Sequence, residues 1–113
     1  MSKPLRFSDL SPARQALVRL CQHINFGQIL DLQVANGEPI WDPAPKILCE
    51  IKLDTDETPR PERDMPDFQL SSEILRLVSQ LDQITVGRIE KIEVRAGVPR
   101  RLVLTSLAGC SIY

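Results

Sequence analysis

The chain has 113 residues, with 14 Lys and Arg against 15 Asp and Glu, a formal net charge of −1 and a pI near 5.8. That length suits one domain able to bury about two thirds of the surface its unfolded form exposes, and the near-neutral balance excludes a global field drawing it onto nucleic acid or an anionic membrane. No segment approaches the ~20 apolar residues of a membrane span, and Met1–Asp9 lacks the apolar core of a secretory signal.

Three cysteines, Cys21, Cys49 and Cys110, are an odd number without a C-x-x-C pair, and His23 is the single histidine. This excludes a disulfide framework and a zinc site, and predicts reduced thiols in a cytoplasmic protein. Cys21 and Cys49 are read as buried, with Cys110 as the one thiol open to reaction.

The first helix signal follows Leu10, where Ser11 is a good N-cap and Pro12 fits the first helical position. Leu17, Leu20 and Ile24 then recur at helical spacing, predicting a helix over 12–24. Gly27 is expected to stop that helix or turn the chain into a strand. In the strand that follows, Ile29 lies out of phase with Leu32 and Val34, and a β-bulge near 30–31 would restore the alternation. Asn36-Gly37 is a strong hairpin turn. A proline-rich detour, Trp41-Asp42-Pro43-Ala44-Pro45, leads to Lys46–Leu53, in which Ile47, Cys49, Ile51 and Leu53 are expected to face inward and Lys46, Glu50 and Lys52 outward. Residues 54–67 read as an acidic, proline-rich linker.

The succession then returns. Leu10-Ser11, Leu17-Val18, Ile24, Gly27, Ile29, Val34, Gly37 and Pro39 reappear sixty residues later as Leu70-Ser71, Leu77-Val78, Ile84, Gly87, Ile89, Val94, Gly97 and Pro99, without a gap. The constant offset reads as an internal duplication. It predicts a second helix over 72–83, a second bulge at 90–91 and a hairpin through Ala96-Gly97 returning along Arg101–Ser106. One domain over 1–113, built of two αββ units at about 10–54 and 70–106, would form a four-stranded antiparallel sheet with both helices on one face. Pro39 and Pro99 cannot donate to a ladder, so the second strand of each hairpin belongs on an edge and the strand order becomes 2-1-3-4. The fold class is α+β.

The pattern Ile24-x-Phe26-Gly27-x-Ile29-x-x-Leu32-x-Val34-x-x-Gly37, and again Ile84-x-Val86-Gly87-x-Ile89-x-x-Ile92-x-Val94-x-x-Gly97, resembles the YezD-like family of short bacterial proteins. The resemblance implies a helix followed by a β-hairpin in each half and a bacterial origin, and implies no activity. The family's closing charged segment, Glu-Lys followed shortly by Arg, is absent after either hairpin.

No catalytic constellation stands out. His23, at a helix end, and Asp31 could pair beside Cys21 or Cys49, yet a surface or helix-capping histidine is the simpler account of the position. Asp54-Thr55-Asp56-Glu57 has a calcium-like start, but Pro59 stands where the loop needs glycine. G-x-G-x-x-G, P-loop, H-E-x-x-H and G-x-S-x-G motifs are absent, and no cofactor or metal is expected. Trp41, beside Asp42 in the detour that one half alone possesses, is either a partner contact or a cover for the end of the core. The expected function is a small non-enzymatic module that binds another protein or its own copy through a sheet edge or face, without membrane contact. One alternative is nucleic-acid binding through Arg88, Lys91, Arg95, Arg100 and Arg101 on the second hairpin, although Glu90 and Glu93 interrupt them and no aromatic residue is there to stack a base. The other is a small-ligand or catalytic site near Trp41 and His23.

Overall fold

The computed structural model describes residues 6–54 and 65–105. Most of the linker read over 54–67, and all of Cys110, fall outside them. A 3₁₀ turn at Phe7–Asp9 leads into helix α1 (Pro12–Ile24), then strands β1 (Gly27–Ala35), β2 (Glu38–Ile40) and β3 (Lys46–Cys49). Helix α2 (Ser72–Asp82) and the hairpin of β4 (Val86–Arg95) and β5 (Val98–Leu104) follow.

Both helices start where a serine oxygen can satisfy an orphan N–H. Ser11 Oγ accepts from Arg14 N and Ser71 Oγ from Ile74 N, each at 3.3 Å. The end of α1 departs from expectation. Asn25, at φ 62° and ψ −60°, leaves the helical conformation while its N–H still donates to Cys21 O at 3.0 Å, so Asn25 and not Gly27 ends the helix. Gly27 serves a different purpose: a Cβ there would stand 2.0 Å from Leu48 O, so glycine lets the β3 backbone approach β1.

The sheet is antiparallel, and β1 and β4 lie at its centre. Leu30 pairs with Lys91 and Leu32 with Ile89, leaving Asp31 and Glu90 outside the ladder. Asp31 has φ 59°, and on the other side of β4 the register slips between Ile89 and Lys91. These bulges reset the strand phase, which is how Ile29 and Leu32 in β1, and Ile89 and Ile92 in β4, all reach full burial on one face. Both hairpin turns have two consecutive positive φ values, 51° and 75° at Asn36-Gly37 and 54° and 75° at Ala96-Gly97, as type I′ geometry requires.

Leu17, Cys21 and Ile24 of α1 and Leu77 and Leu81 of α2 pack onto that face with Val34 and Val94, forming the main core. A second cluster joins Phe7, Leu10 and Val18 to Phe68, Leu70 and Ile74, with the Phe7 and Phe68 rings stacked at 5.0 Å. Asp67 fastens that end. It accepts from Arg6 Nε at 2.8 Å and Ser8 N at 2.9 Å, and these bonds, Arg6 foremost, hold its carboxyl down at about 2. Arg14 ties the helices to the first hairpin, donating to Gly37 O at 2.8 Å and pairing with Asp82 at 2.7 Å and Glu38 at 2.9 Å.

The α+β class stands, while the sheet differs in detail from the expected four strands in the order 2-1-3-4. Among the described residues there are five strands, in the path β2-β1-β4-β5 with β3 also on β1. The reason lies in the detour. Between the pairs Leu30–Lys46 and Gln33–Ile40, β1 advances through Asp31 and Leu32 alone, whereas the returning chain must place Trp41 through Pro45. The excess loops out and divides the return into β2 and β3.

Candidate functional site: a free sheet edge

The expected half-buried strand Lys46–Leu53 is corrected by the structure. Its regular part ends at Cys49, and every residue from Lys46 to Asp54 is exposed. Ile47 is 41% exposed, Leu48 43%, Ile51 72% and Leu53 95%. The alternation correctly sorts the faces, because Ile47 stands opposite Ile29 and Cys49 opposite Gly27, both on the core side. The helices, however, pack chiefly over β2 and β5, and the β3 side chains stay exposed. Sequence periodicity assigns side chains to a face without saying how far along it the helices reach.

The backbone of β3 is equally open. Glu50 N donates to Phe26 O at 2.8 Å, and this bond follows the same register as Leu48 with Gln28 and Lys46 with Leu30. In an antiparallel ladder, alternate residues turn both N–H and C=O to the same neighbour. Lys46, Leu48 and Glu50 therefore turn theirs toward β1, and Ile47 and Cys49 turn theirs outward. Phe26 and Lys52 flank the strip, with Lys52 Nζ 4.6 Å from the Phe26 ring centre. The opposite edge, β5, carries Pro99, Arg100 and Arg101, residue types that discourage strand addition. On β3 the apolar run Ile47-Leu48-Cys49 has no such residue within it.

The two described thiols differ. Burial pushes the Cys21 thiol up to about 12, so it is a packing group, whereas Cys49 is exposed, contrary to the expectation of a buried residue. Trp41 is half-buried against the core and its indole Nε1 donates to Ala13 O at 3.3 Å, while Asp42 beside it is exposed. His23 is exposed in the last turn of α1, and the Asp31 carboxylate lies 3.9 Å from Arg88.

The basic residues of the second hairpin are dispersed among acids. Arg88 lies 3.7 Å from Glu90, Arg95 3.2 Å from Glu93 and Arg100 3.2 Å from Glu73. Lys91 is half-buried and Arg101 exposed. Arg100 and Arg101 border a groove of about 130 Å³ between α2 and β5, floored by Leu77, Ile92 and Leu102. Glu73 at its rim is lowered in pKa, first by its own backbone N–H and further by Ser72 and Arg100. The groove gathers neither His23 nor a cysteine. Among the described residues no three His, Cys, Asp or Glu side chains are placed to hold a metal, and no helix is long and apolar enough to cross a membrane.

Edge strand β3 combines outward-turned backbone groups with exposed aliphatic side chains. Comparison with protein-family models, curated proteins and solved structures finds no match to this chain.

Proposed function

We propose that this chain is a non-enzymatic binding module that takes up a further strand, from a protein partner or a second copy, along β3. The observation that carries this reading is the run Ile47-Leu48-Cys49, exposed on both faces of an edge strand whose outer N–H and C=O groups face no other strand among the described residues. Added strands of this kind gain affinity from main-chain hydrogen bonds and selectivity from alternate side chains. The internal duplication fits the same reading. Two units of the YezD-like helix–hairpin kind would supply a scaffold, and the detour Trp41–Pro45 would give one of them a distinct edge. Nucleic-acid binding is disfavoured because Arg88, Arg95 and Arg100 each already face a carboxylate within 4.0 Å.

Cys49→Pro tests the edge at the level of the backbone. The Cys49 N–H points outward, so proline removes a donor on the free side without removing one of the bonds to β1. Light scattering after gel filtration and affinity capture from the source cells should both show association by the wild type and its loss in the variant, at an unchanged helix signal in circular dichroism. Equal behaviour of the two proteins in both assays would reject β3 as the binding surface.

A further inference from the structure

The segment Lys46–Glu50, β3 with the residue that follows it, is complementary to itself when read antiparallel, and we propose that the strand added to β3 is β3 of a second copy of this chain. This rests on the edge reading above and goes further, to a partner and a register. Placing Leu48 opposite Leu48 of the second copy puts Lys46 opposite the second copy's Glu50, and Ile47 opposite its Cys49. The dyad repeats each pair, so both lysines meet glutamates and the apolar residues meet one another.

The hydrogen-bond phase admits the same register. Ile47 and Cys49 turn their N–H and C=O outward, as the register of β3 on β1 and the Glu50–Phe26 bond require. In the proposed pairing, Ile47 of each copy exchanges both bonds with Cys49 of the other. Leu48 and the Lys46–Glu50 pairs then occupy the closely spaced positions, where Cα atoms come within about 4.5 Å and side chains meet most strongly. The next register in phase places Cys49 opposite Cys49. It also puts Lys46 opposite Lys52 and Leu48 opposite Glu50, which sets like charges together and an aliphatic against a carboxylate. Pro45 closes the upstream end, since it has no N–H to offer. The paired edges would run two sheets into one, with Ile47 and Cys49 on the helix side and Leu48 on the other.

Charge exchange gives a test that a generic sticky edge would not pass. Lys46→Glu alone and Glu50→Lys alone each place like charges opposite one another twice, and each should weaken self-association about tenfold or more in Kd. Mixed in equal amounts, the two variants bring opposite charges together at both positions, and a one-to-one heterodimer should form. The doubly exchanged chain should dimerise as the wild type does. In a background with Cys49→Ser and Cys110→Ser, Leu48→Cys should form an intermolecular disulfide under mild oxidation, since the two residues face each other across the dyad. Sedimentation equilibrium and non-reducing electrophoresis read these outcomes. A wild type that stays monomeric up to about millimolar concentration would overturn the proposal, a range in which even weak specific pairs associate. So would variants that dimerise alone as well as they do together. Association lost in Cys49→Pro yet indifferent to charge exchange would keep β3 as a binding edge and reject self-pairing.

Discussion

Replacing Gly27 by alanine should detach β3 while leaving the rest of the fold in place. The added Cβ would lie 2.0 Å from Leu48 O, 2.8 Å from Ile24 Cγ2 and 3.1 Å from Cys49 Cα. Something must move, and β3 is the part least held. Its attachment rests on roughly five ladder hydrogen bonds to β1, each worth about 1 kcal/mol net. Against these stands the ordering of four backbone residues at about 1–2 kcal/mol each. Ile47 and Leu48, 41% and 43% exposed, add partial apolar burial worth about 1–2 kcal/mol, so the two sides nearly balance and release of the strand costs at most about 2 kcal/mol. Forcing the methyl into place against the backbone would cost more, so release is the expected response. Hydrogen exchange should show the Leu48 and Glu50 amides losing protection in Gly27→Ala while Ile92 and Val94 keep theirs. Urea unfolding should shift by no more than about 2 kcal/mol, and self-association should vanish. Gly87→Ala is the matched control, because its Cβ would meet only Ile84 Cγ2, at 3.1 Å, a side chain able to give way. Unchanged exchange at Leu48 and Glu50 in Gly27→Ala would refute the reasoning, and so would global unfolding.

Two further outcomes follow from local geometry. Ala96 holds φ 54° at the place where the first hairpin has asparagine, so Ala96→Asn should raise stability by about 0.5–1 kcal/mol, whereas β-branched Ala96→Val should lower it by more than about 1 kcal/mol; thermal melts that rank the variants otherwise would reject a type I′ turn there. With Cys110→Ser in place, iodoacetamide near pH 8 should label the native protein at Cys49 alone, with Cys21 reacting only on unfolding; native labelling of Cys21 would contradict its burial.

The parts of this fold legible in the sequence are those fixed by local chemistry. Ser11-Pro12 and Ser71 mark helix starts because a hydroxyl oxygen can reach the N–H three residues on, and both bonds are present. The phase error between Ile29 and Leu32 announces the bulge, since a pleated strand has no other way to bury both. What was hidden depends on distant parts of the chain. Gly27 is explained by a carbonyl twenty-one residues away at Leu48, whereas its sequence neighbours suggested only a stop for the helix or a turn into the strand. Arg14, which joins both helices to the first turn, gave no sign of that role, because its partners Gly37, Glu38 and Asp82 are brought together only by the finished fold. At the β3 edge, alternation gave the correct face for Ile47 and Cys49 and the wrong burial, since burial depends on where α1 and α2 lie over the sheet.

The two hairpins show why β3 stands apart from β5. Both begin from the same turn geometry, and in both the first strand is kept in the core by a bulge at its middle. In the second hairpin the return is continuous, so Leu102 and Leu104 of β5 still pack on the core while Arg100 and Arg101 face solvent. In the first, Trp41 takes up the end of the core and the loop to Pro45 carries the chain off the ladder. When it rejoins β1 at Lys46, it is beyond the helices, and its aliphatic residues have no layer to enter. Aliphatic side chains on an uncovered strand are costly in water unless something else covers them. A solvated edge would be better served by the charged residues seen on β5, and β3 instead alternates Lys46 and Glu50 around an apolar centre. Such a strand is poorly suited to remaining alone and well suited to pairing with its own copy.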